Sequence, residues 1–313
     1  MTRAMVLGAT GCMGRHMCDA FHAQGADVVA VARRPAPHTD AHRFLTLDAA
    51  ARTPEQLAET LAQEDVDTLV NATLGWGDDQ HRVNVELVHR LTAALRLLPT
   101  AHRPRLIQLG TVHEYGPMTY GTAADEQLEP APLTDYARTK LAASQHVLAS
   151  GDLDAVVLRV ANVVGPHLTQ DGFLGSLAAR LARTAPDEQI ELTLADARRD
   201  YVDVRDVADA VVRASRAPAF PGDTRLLNIG SGIASSISDL VTALVEAAGL
   251  PPETIVLRPG EVRSQDASAG VGWTCLNTTR ARSVLGWTPT HSLEESLRAM
   301  GTVNRSGLFR SRW

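Results

Sequence analysis

A glycine turn set between an apolar run and an amphipathic one limits this chain more than any other feature. Residues 4–8 are largely apolar, Gly8-Ala9-Thr10-Gly11-Cys12-Met13-Gly14 follows, and Met13, Met17 and Phe21 recur at helical spacing before a second apolar run at 28–31. Strand, turn, helix and strand in so short a span open a parallel sheet with a right-handed crossover. Glycines at 8, 11 and 14 let backbone pass close to backbone or ligand, and the unpaired N–H groups where the helix starts, at Cys12 and Met13, attract a pyrophosphate. Further strand-like runs at 44–47, 67–71, 105–109 and 155–160 alternate with helical stretches at 54–63, 80–98 and 136–150. The expected fold is α/β, a Rossmann-type doubly wound parallel sheet. After Gly165-Pro166 the elements shorten, which predicts a dinucleotide-binding domain over 1–165 and a smaller C-terminal α/β lobe for substrate over 166–313.

The end of the second strand selects the dinucleotide. An acidic residue about 20 positions past the glycines would bind the ribose 2′-hydroxyl of NAD. This chain has Ala32, then Arg33 and Arg34. A small residue followed by cations suits a 2′-phosphate, so NADP(H) is expected, with Arg33 the main contact; the alternative is two arginines closing a strand in solvent.

Lys140 is the only lysine in 313 residues, and it stands four positions after Tyr136 in Tyr136-Ala137-Arg138-Thr139-Lys140. A lone lysine falls at that offset from one of four tyrosines by chance roughly once in eighty. Four residues apart on a helix share a face. An ammonium is a compact point charge that can approach sugar hydroxyls and a phenol together, where the broad guanidinium fork cannot. Its charge is expected to draw the Tyr136 phenol down toward working pH, making Tyr136 a general acid/base.

Composition removes other classes. The net charge of −6, without a basic block, argues against nucleic acid and anionic membrane partners. Cys12, Cys18 and Cys275 have neither zinc-ligand spacing nor an even count, so no metal site is expected and a reducing, cytoplasmic setting is. No run of 18 apolar residues is present.

Beyond the glycine spacing GxxGxxG and the Tyr136/Lys140 pair, three segments carry a resemblance: Gly110-Thr111-Val112-His113-Glu114-Tyr115-Gly116, Leu158-Arg159-Val160-Ala161-Asn162-Val163-Val164-Gly165-Pro166 and Arg199-Asp200-Tyr201-Val202-Asp203-Val204. Together they resemble the extended short-chain dehydrogenase/reductases, the NAD(P)-dependent epimerase/dehydratase family, and among these the nucleoside-diphosphate-sugar 4-ketoreductases. The resemblance implies that Thr111 stands at the catalytic hydroxyl position beside Tyr136 and Lys140, that Asp48 holds the adenine, and that Lys140 and Asn162 also touch the cofactor. It further implies that Asn162, Arg199 and Arg258 grip a sugar diphosphate, dTDP-linked, with Glu261 near its ribose, and that segments near 199–232 return to the first domain. An alternative for Arg199 is a surface ion pair with Asp200 or Asp203. Where many relatives have an asparagine after Gly165-Pro166, this chain reads Gln170-Asp171-Gly172-Phe173.

Within such a family auxiliary residues separate the reactions. Dehydratases follow the catalytic threonine with an acidic pair, and here Val112 and His113 stand there; valine cannot transfer a proton. Epimerases recycle a tightly held NAD, which Ala32-Arg33 fits poorly. The expected activity is reduction of a nucleoside-diphosphate-4-keto-6-deoxyhexose at C4 by NADPH, an NAD-dependent epimerase being the alternative. His113 is a candidate auxiliary acid, since an imidazole titrates near neutrality, or simply a polar loop residue. The helical stretches at 80–98 and 136–150 could pair with a second copy in a homodimer or cover their own sheet.

Overall fold

The computed structural model describes residues 2–170, 172–185, 188–259 and 272–305. The first half alternates as the glycine turn demands: β1 Arg3–Leu7, α1 Cys12–Ala23, β2 Asp27–Ala32, β3 Arg43–Thr46, α2 Pro54–Gln63, β4 Thr68–Asn71, α3 Leu87–Leu97, β5 Arg105–Thr111, α4 Asp135–Ala149 and β6 Ala155–Val160. Then come β7 Asn162–Val164, α5 Phe173–Leu181, β8 Ile190–Leu194, β9 Arg198–Asp203, α6 Val204–Arg216, β10 Leu226–Ile229, β11 Ala234–Ser236, α7 Ile237–Ala247, β12 Ile255–Pro259, β13 Trp273–Thr274, α8 Thr279–Leu285 and α9 Leu293–Arg305.

The main sheet has seven parallel strands in the order β10-β6-β5-β4-β1-β2-β3. Its strands are apolar on both faces because successive side chains point opposite ways and helices cover each side. In β1, Ala4 and Val6 face the cluster formed with α1 and α6, while Met5 and Leu7 face the cluster formed with α2 and α3. The strand order reverses between β1 and β4, and in open α/β sheets the crevice beyond the carboxyl ends at such a point receives the ligand.

The later elements form a second lobe with a core of its own. β9 pairs with β7, β11 and β13 in a small sheet, β8 pairs with β12, and α5, α7 and α9 close a separate core around Leu177, Val241, Leu244 and Leu297. Chain passes between the two lobes repeatedly: α6 packs on α1, and β10 joins the edge of the main sheet.

One element departs from the periodicity. The stretch at 80–98 is not one α-helix; Arg82–Glu86 is a π-helical turn ahead of α3. The inserted residue lets Asn84 turn inward to bond Gly75 and Thr139, and widened turns of this kind gather at functional sites.

Candidate active site

The glycine turn is built for a close approach. Gly8 has φ +80, and a Cβ there would lie 2.8 Å from the Ala72 carbonyl oxygen; a Cβ on Gly14 would lie 2.1 Å from Gly8 O. These two glycines pack β1, α1 and the end of β4 together. Gly11, by contrast, is exposed and caps α1 with no side chain, so the first N–H groups of the helix face outward. This is the cradle that a dinucleotide pyrophosphate fits, with Cys12 and Met13 on its floor. The Cys12 thiol is pushed up to about 12 by burial and stays uncharged beside that cradle.

Arg33 and Arg34 are exposed past β2, and neither forms an ion pair among the described residues. Nearby, the structure adds two groups that sequence reasoning missed. Arg15 donates to His38 Nδ1 at 2.6 Å, and His38 Nε2 lies 3.2 Å from the Ala9 carbonyl, so a neutral imidazole ties the arginine to the glycine turn. Only the fold brings residue 15 beside residue 38; neither position stands out in a linear reading. Asp48 accepts from the Ala50 N–H at 3.2 Å and faces Arg82 at 3.3 Å.

The reacting groups converge at the end of β5 and the start of α4. Thr134 caps α4 by accepting from Ala137 N–H, which places Tyr136 in the first turn. The Thr111 hydroxyl lies near enough to the Tyr136 phenol to favour its ionised form. The phenol ring is fixed from two sides: Trp76 stacks on it at 4.8 Å, and the His113 ring meets it edge-on at 6.3 Å.

Beneath the pair lies a charge that the sequence did not single out. Glu114 is fully buried, accepts from Thr111 N–H and Ser144 Oγ, each at 2.9 Å, and pairs with Arg159 at 2.7 Å. Arg159 in turn stacks over the Tyr115 ring at 4.4 Å, and Tyr115 donates to Asn228 at 2.8 Å. Burial lowers the Lys140 ammonium to about 8, opposed by the Glu114 carboxylate. Burial pushes the Tyr136 phenol up to about 12, opposed by the Thr111 side chain, and Glu114 pushes the same way. Desolvation and the Glu114 charge therefore act against the lowering expected from Lys140.

His113 also differs from its expected part. Burial first, then the Arg199 cation, lower it to about 4, opposed by the Asn162 side chain, and its buried Nδ1 has no hydrogen-bond partner among the described residues. Its surroundings favour the neutral imidazole. Asn162 donates to the Asp200 carbonyl at 3.0 Å, joining β7 to β9. Arg199, on β9, is buried and close enough to act on His113, which sets it with Asn162 above the triad. The carboxylates offered as its surface partners are committed elsewhere. Asp200 accepts from the N–H groups of Ser231, Gly232 and Leu276, and Asp203 holds Arg205 at 2.8 Å. Arg258 is not brought to this cluster; it makes an exposed ion pair with Glu191 at 2.6 Å across β8 and β12. Glu261 lies outside the described residues. Among the described residues no group of His, Cys, Asp and Glu could hold a metal ion, and no helix is long and apolar enough to cross a membrane.

A glycine-capped helix at the sheet's switch point, with a Thr/Tyr/Lys set across the crevice, defines a nicotinamide-dependent enzyme of Rossmann architecture. The chain belongs to the NAD dependent epimerase/dehydratase family, whose model matches residues 4–230. It is 38% identical over 96% of its length, and 95% of the relative's, to dTDP-6-deoxy-L-talose 4-dehydrogenase (NAD(P)(+)) of Kitasatospora kifunensis. It is 31% identical over 94% of its length, and 96% of the relative's, to UDP-glucose 4-epimerase of Mycolicibacterium smegmatis. Among solved structures, MoeE5 in complex with UDP-glucuronic acid and NAD is similar with a TM-score of 0.80 and 28% identity, covering 97% of this chain and 99% of that one.

Proposed function

We propose that the protein is a C4 ketoreductase that reduces a nucleoside-diphosphate-4-keto-6-deoxyhexose, dTDP-linked, with NADPH. The observation that carries this reading is the meeting of Thr111, at the end of β5, with Tyr136 in the first turn of α4 and Lys140 one turn along it, a hydroxyl, a phenol and a cation being the groups that carbonyl reduction requires. The 38% identity to a dTDP-6-deoxy-L-talose 4-dehydrogenase supports the substrate class. The alternative, an epimerase, draws support from the relative named UDP-glucose 4-epimerase. The exposed Arg33 and Arg34 where an NAD enzyme would place a carboxylate favour the reductase.

In this reading residues 8–14 hold the pyrophosphate, Arg33 meets the 2′-phosphate, and Lys140 holds the nicotinamide ribose. Bound there, NADPH supplies a hydride for C4. Thr111 and Tyr136 orient the carbonyl by hydrogen bonds to its oxygen, and these strengthen as negative charge gathers on it. Tyr136 gives up its proton to that oxygen, and the Lys140 cation, on the same helix face one turn along, stabilises the phenolate left behind. Glu114 fixes the Thr111 backbone and supports the charged state of Lys140. Arg199 takes the diphosphate as a bidentate partner, and Asn162 lies beside it. Arg199 comes from the lobe over 166–313 and Asn162 from the end of the first domain, and α3 and α4 offer the faces on which a homodimer would form.

The test is direct. Purified protein with a dTDP-4-keto-6-deoxyhexose should oxidise NADPH stoichiometrically and with a kcat/KM above that for NADH. Tightly copurifying NAD, with interconversion of C4 epimers and no net NADPH consumption, would establish the epimerase instead. Sedimentation at monomer mass would end the dimer reading.

A further inference from the structure

Trp76 lies in the loop after β4, stacked on the Tyr136 ring at 4.8 Å with 20° between the planes, yet 53% of it is exposed. It differs from the other tryptophans described. Trp287 is wholly buried and donates its indole N–H to Asp206 O at 2.9 Å, and Trp273 donates to Thr122 O at 2.7 Å. The Trp76 N–H has no hydrogen-bond partner among the described residues. One face of its indole covers the reacting phenol; the other is open.

The loop that carries it is anchored. Gly75 donates its N–H to Asn84 Oδ1 at 2.9 Å and accepts from Asn84 Nδ2 at 3.2 Å, and Asn84 and Gln80 both donate to Thr139 Oγ1, at 3.3 and 3.4 Å. Thr139 is on α4, one turn from Tyr136. A Cβ at Gly75 would lie 2.6 Å from Asp79 O and 2.7 Å from Val83 Cβ, so the chain is pressed onto the π-helical turn. An indole left half in water by a loop fastened at this point is a surface prepared for an apolar partner. Leu74 on the same loop and Leu133 just before α4 are exposed as well.

We propose that Trp76 is a specificity-determining residue, the wall on which the apolar face and C6 methyl of the 6-deoxyhexose rest. This rests on the keto-sugar reading above. A C4 carbonyl held at the Tyr136 hydroxyl puts C5 and its C6 substituent within a sugar ring's breadth of the indole stacked on that same phenol. A methyl gains by leaving water there. A C6 hydroxyl would give up hydrogen bonds that an indole face cannot replace. The open indole N–H remains as a donor for a sugar hydroxyl.

Calorimetric titration of the wild type, Trp76→Ala and Trp76→Phe with dTDP, dTDP-L-rhamnose and dTDP-glucose tests this. The wild type is expected to prefer the 6-deoxyhexose. Trp76→Ala should weaken dTDP-L-rhamnose about tenfold, erase the preference over dTDP-glucose and leave dTDP and NADPH binding unchanged, while Trp76→Phe retains most of the affinity. In turnover Trp76→Phe, which keeps an aromatic ring against Tyr136, should hold kcat within about threefold of the wild type, and Trp76→Ala should raise KM for the keto sugar. Unchanged binding of dTDP-L-rhamnose by Trp76→Ala, or an equal weakening of dTDP itself, would overturn the assignment while leaving the ketoreductase reading standing. A wild type that binds neither dTDP-hexose would instead overturn that reading, and this inference with it.

Discussion

The two sides of Tyr136 are built on opposite principles. Below it, Glu114, Arg159, Ser144 and Lys140 form a buried polar floor in which every interaction is charged or charge-assisted. On its outer face Trp76, stacked on the ring and half exposed, is an apolar rim, and Leu74 on the same loop is exposed as well. Charges in a dry interior keep a fixed relation to one another and hold the protons where the chemistry needs them, whereas an open apolar rim chooses what may enter. Changes below should therefore cost turnover or folding, and changes above should cost only recognition.

The largest effect expected is at the boundary itself. Tyr136→Phe removes the proton donor and should lower kcat about 10²- to 10⁴-fold, with NADPH affinity nearly unchanged in a fluorescence titration. An undiminished rate would remove the phenol from the reaction.

Next is the floor. Glu114→Ala leaves the Arg159 guanidinium buried without its carboxylate and should cost about 3–5 kcal/mol of stability, read in urea melts. A double change, Glu114→Ala with Arg159→Met, should recover much of this because it removes the unpaired charge. Equal losses in the single and double variants would show that the pair does not set the floor's stability.

That floor marks the limit of what the sequence made legible. The sheet, the glycine turn and the Thr111, Tyr136 and Lys140 positions could be read because each depends on local periodicity or short spacing, and the structure brings the end of β5 against the first turns of α4 that carry them. Glu114 stood within a quoted segment, but its role depends on Arg159 and Ser144, 45 and 30 residues away, and on complete burial. The Arg15–His38 link has the same character, a contact across 23 residues made by the β2 exit folding over α1. Trp76 was overlooked because a tryptophan in a glycine-rich loop has no periodicity to report. Its significance comes from what it stacks on. The burial that raises the phenol's proton affinity is illegible for a related reason: a sequence shows which cation is a turn away, and not how much water is excluded.

The pH profile probes the floor more gently. Lys140 is lowered to about 8, so its cation is present below that pH and is lost as pH rises through it. The reduction rate should be flat below about 8 and fall by up to about tenfold per unit above it. Tyr136, at about 12, stays protonated throughout, and His113, at about 4, stays neutral, so no inflection is expected between pH 5 and about 8. A break near 6.5 in kcat would mean that His113 titrates in the cleft after all.

The smallest expected change lies at the cofactor end, outside both floor and rim. Arg33 is exposed, so a contact to a 2′-phosphate is screened and is worth only about 1 kcal/mol. Arg33→Ala should raise KM for NADPH about fivefold and leave KM for NADH unchanged. Arg15→Ala should do less to either, because its guanidinium is already tied to His38, unless that tie aims it at the same phosphate. Equal shifts for both dinucleotides in Arg33→Ala would show that the arginine serves the solvent-facing end of β2 and not the ribose. Cofactor choice would then have to be sought in the Arg15–His38 link, and the contrast between a charged interior and a selective rim would extend to the nucleotide half of the crevice.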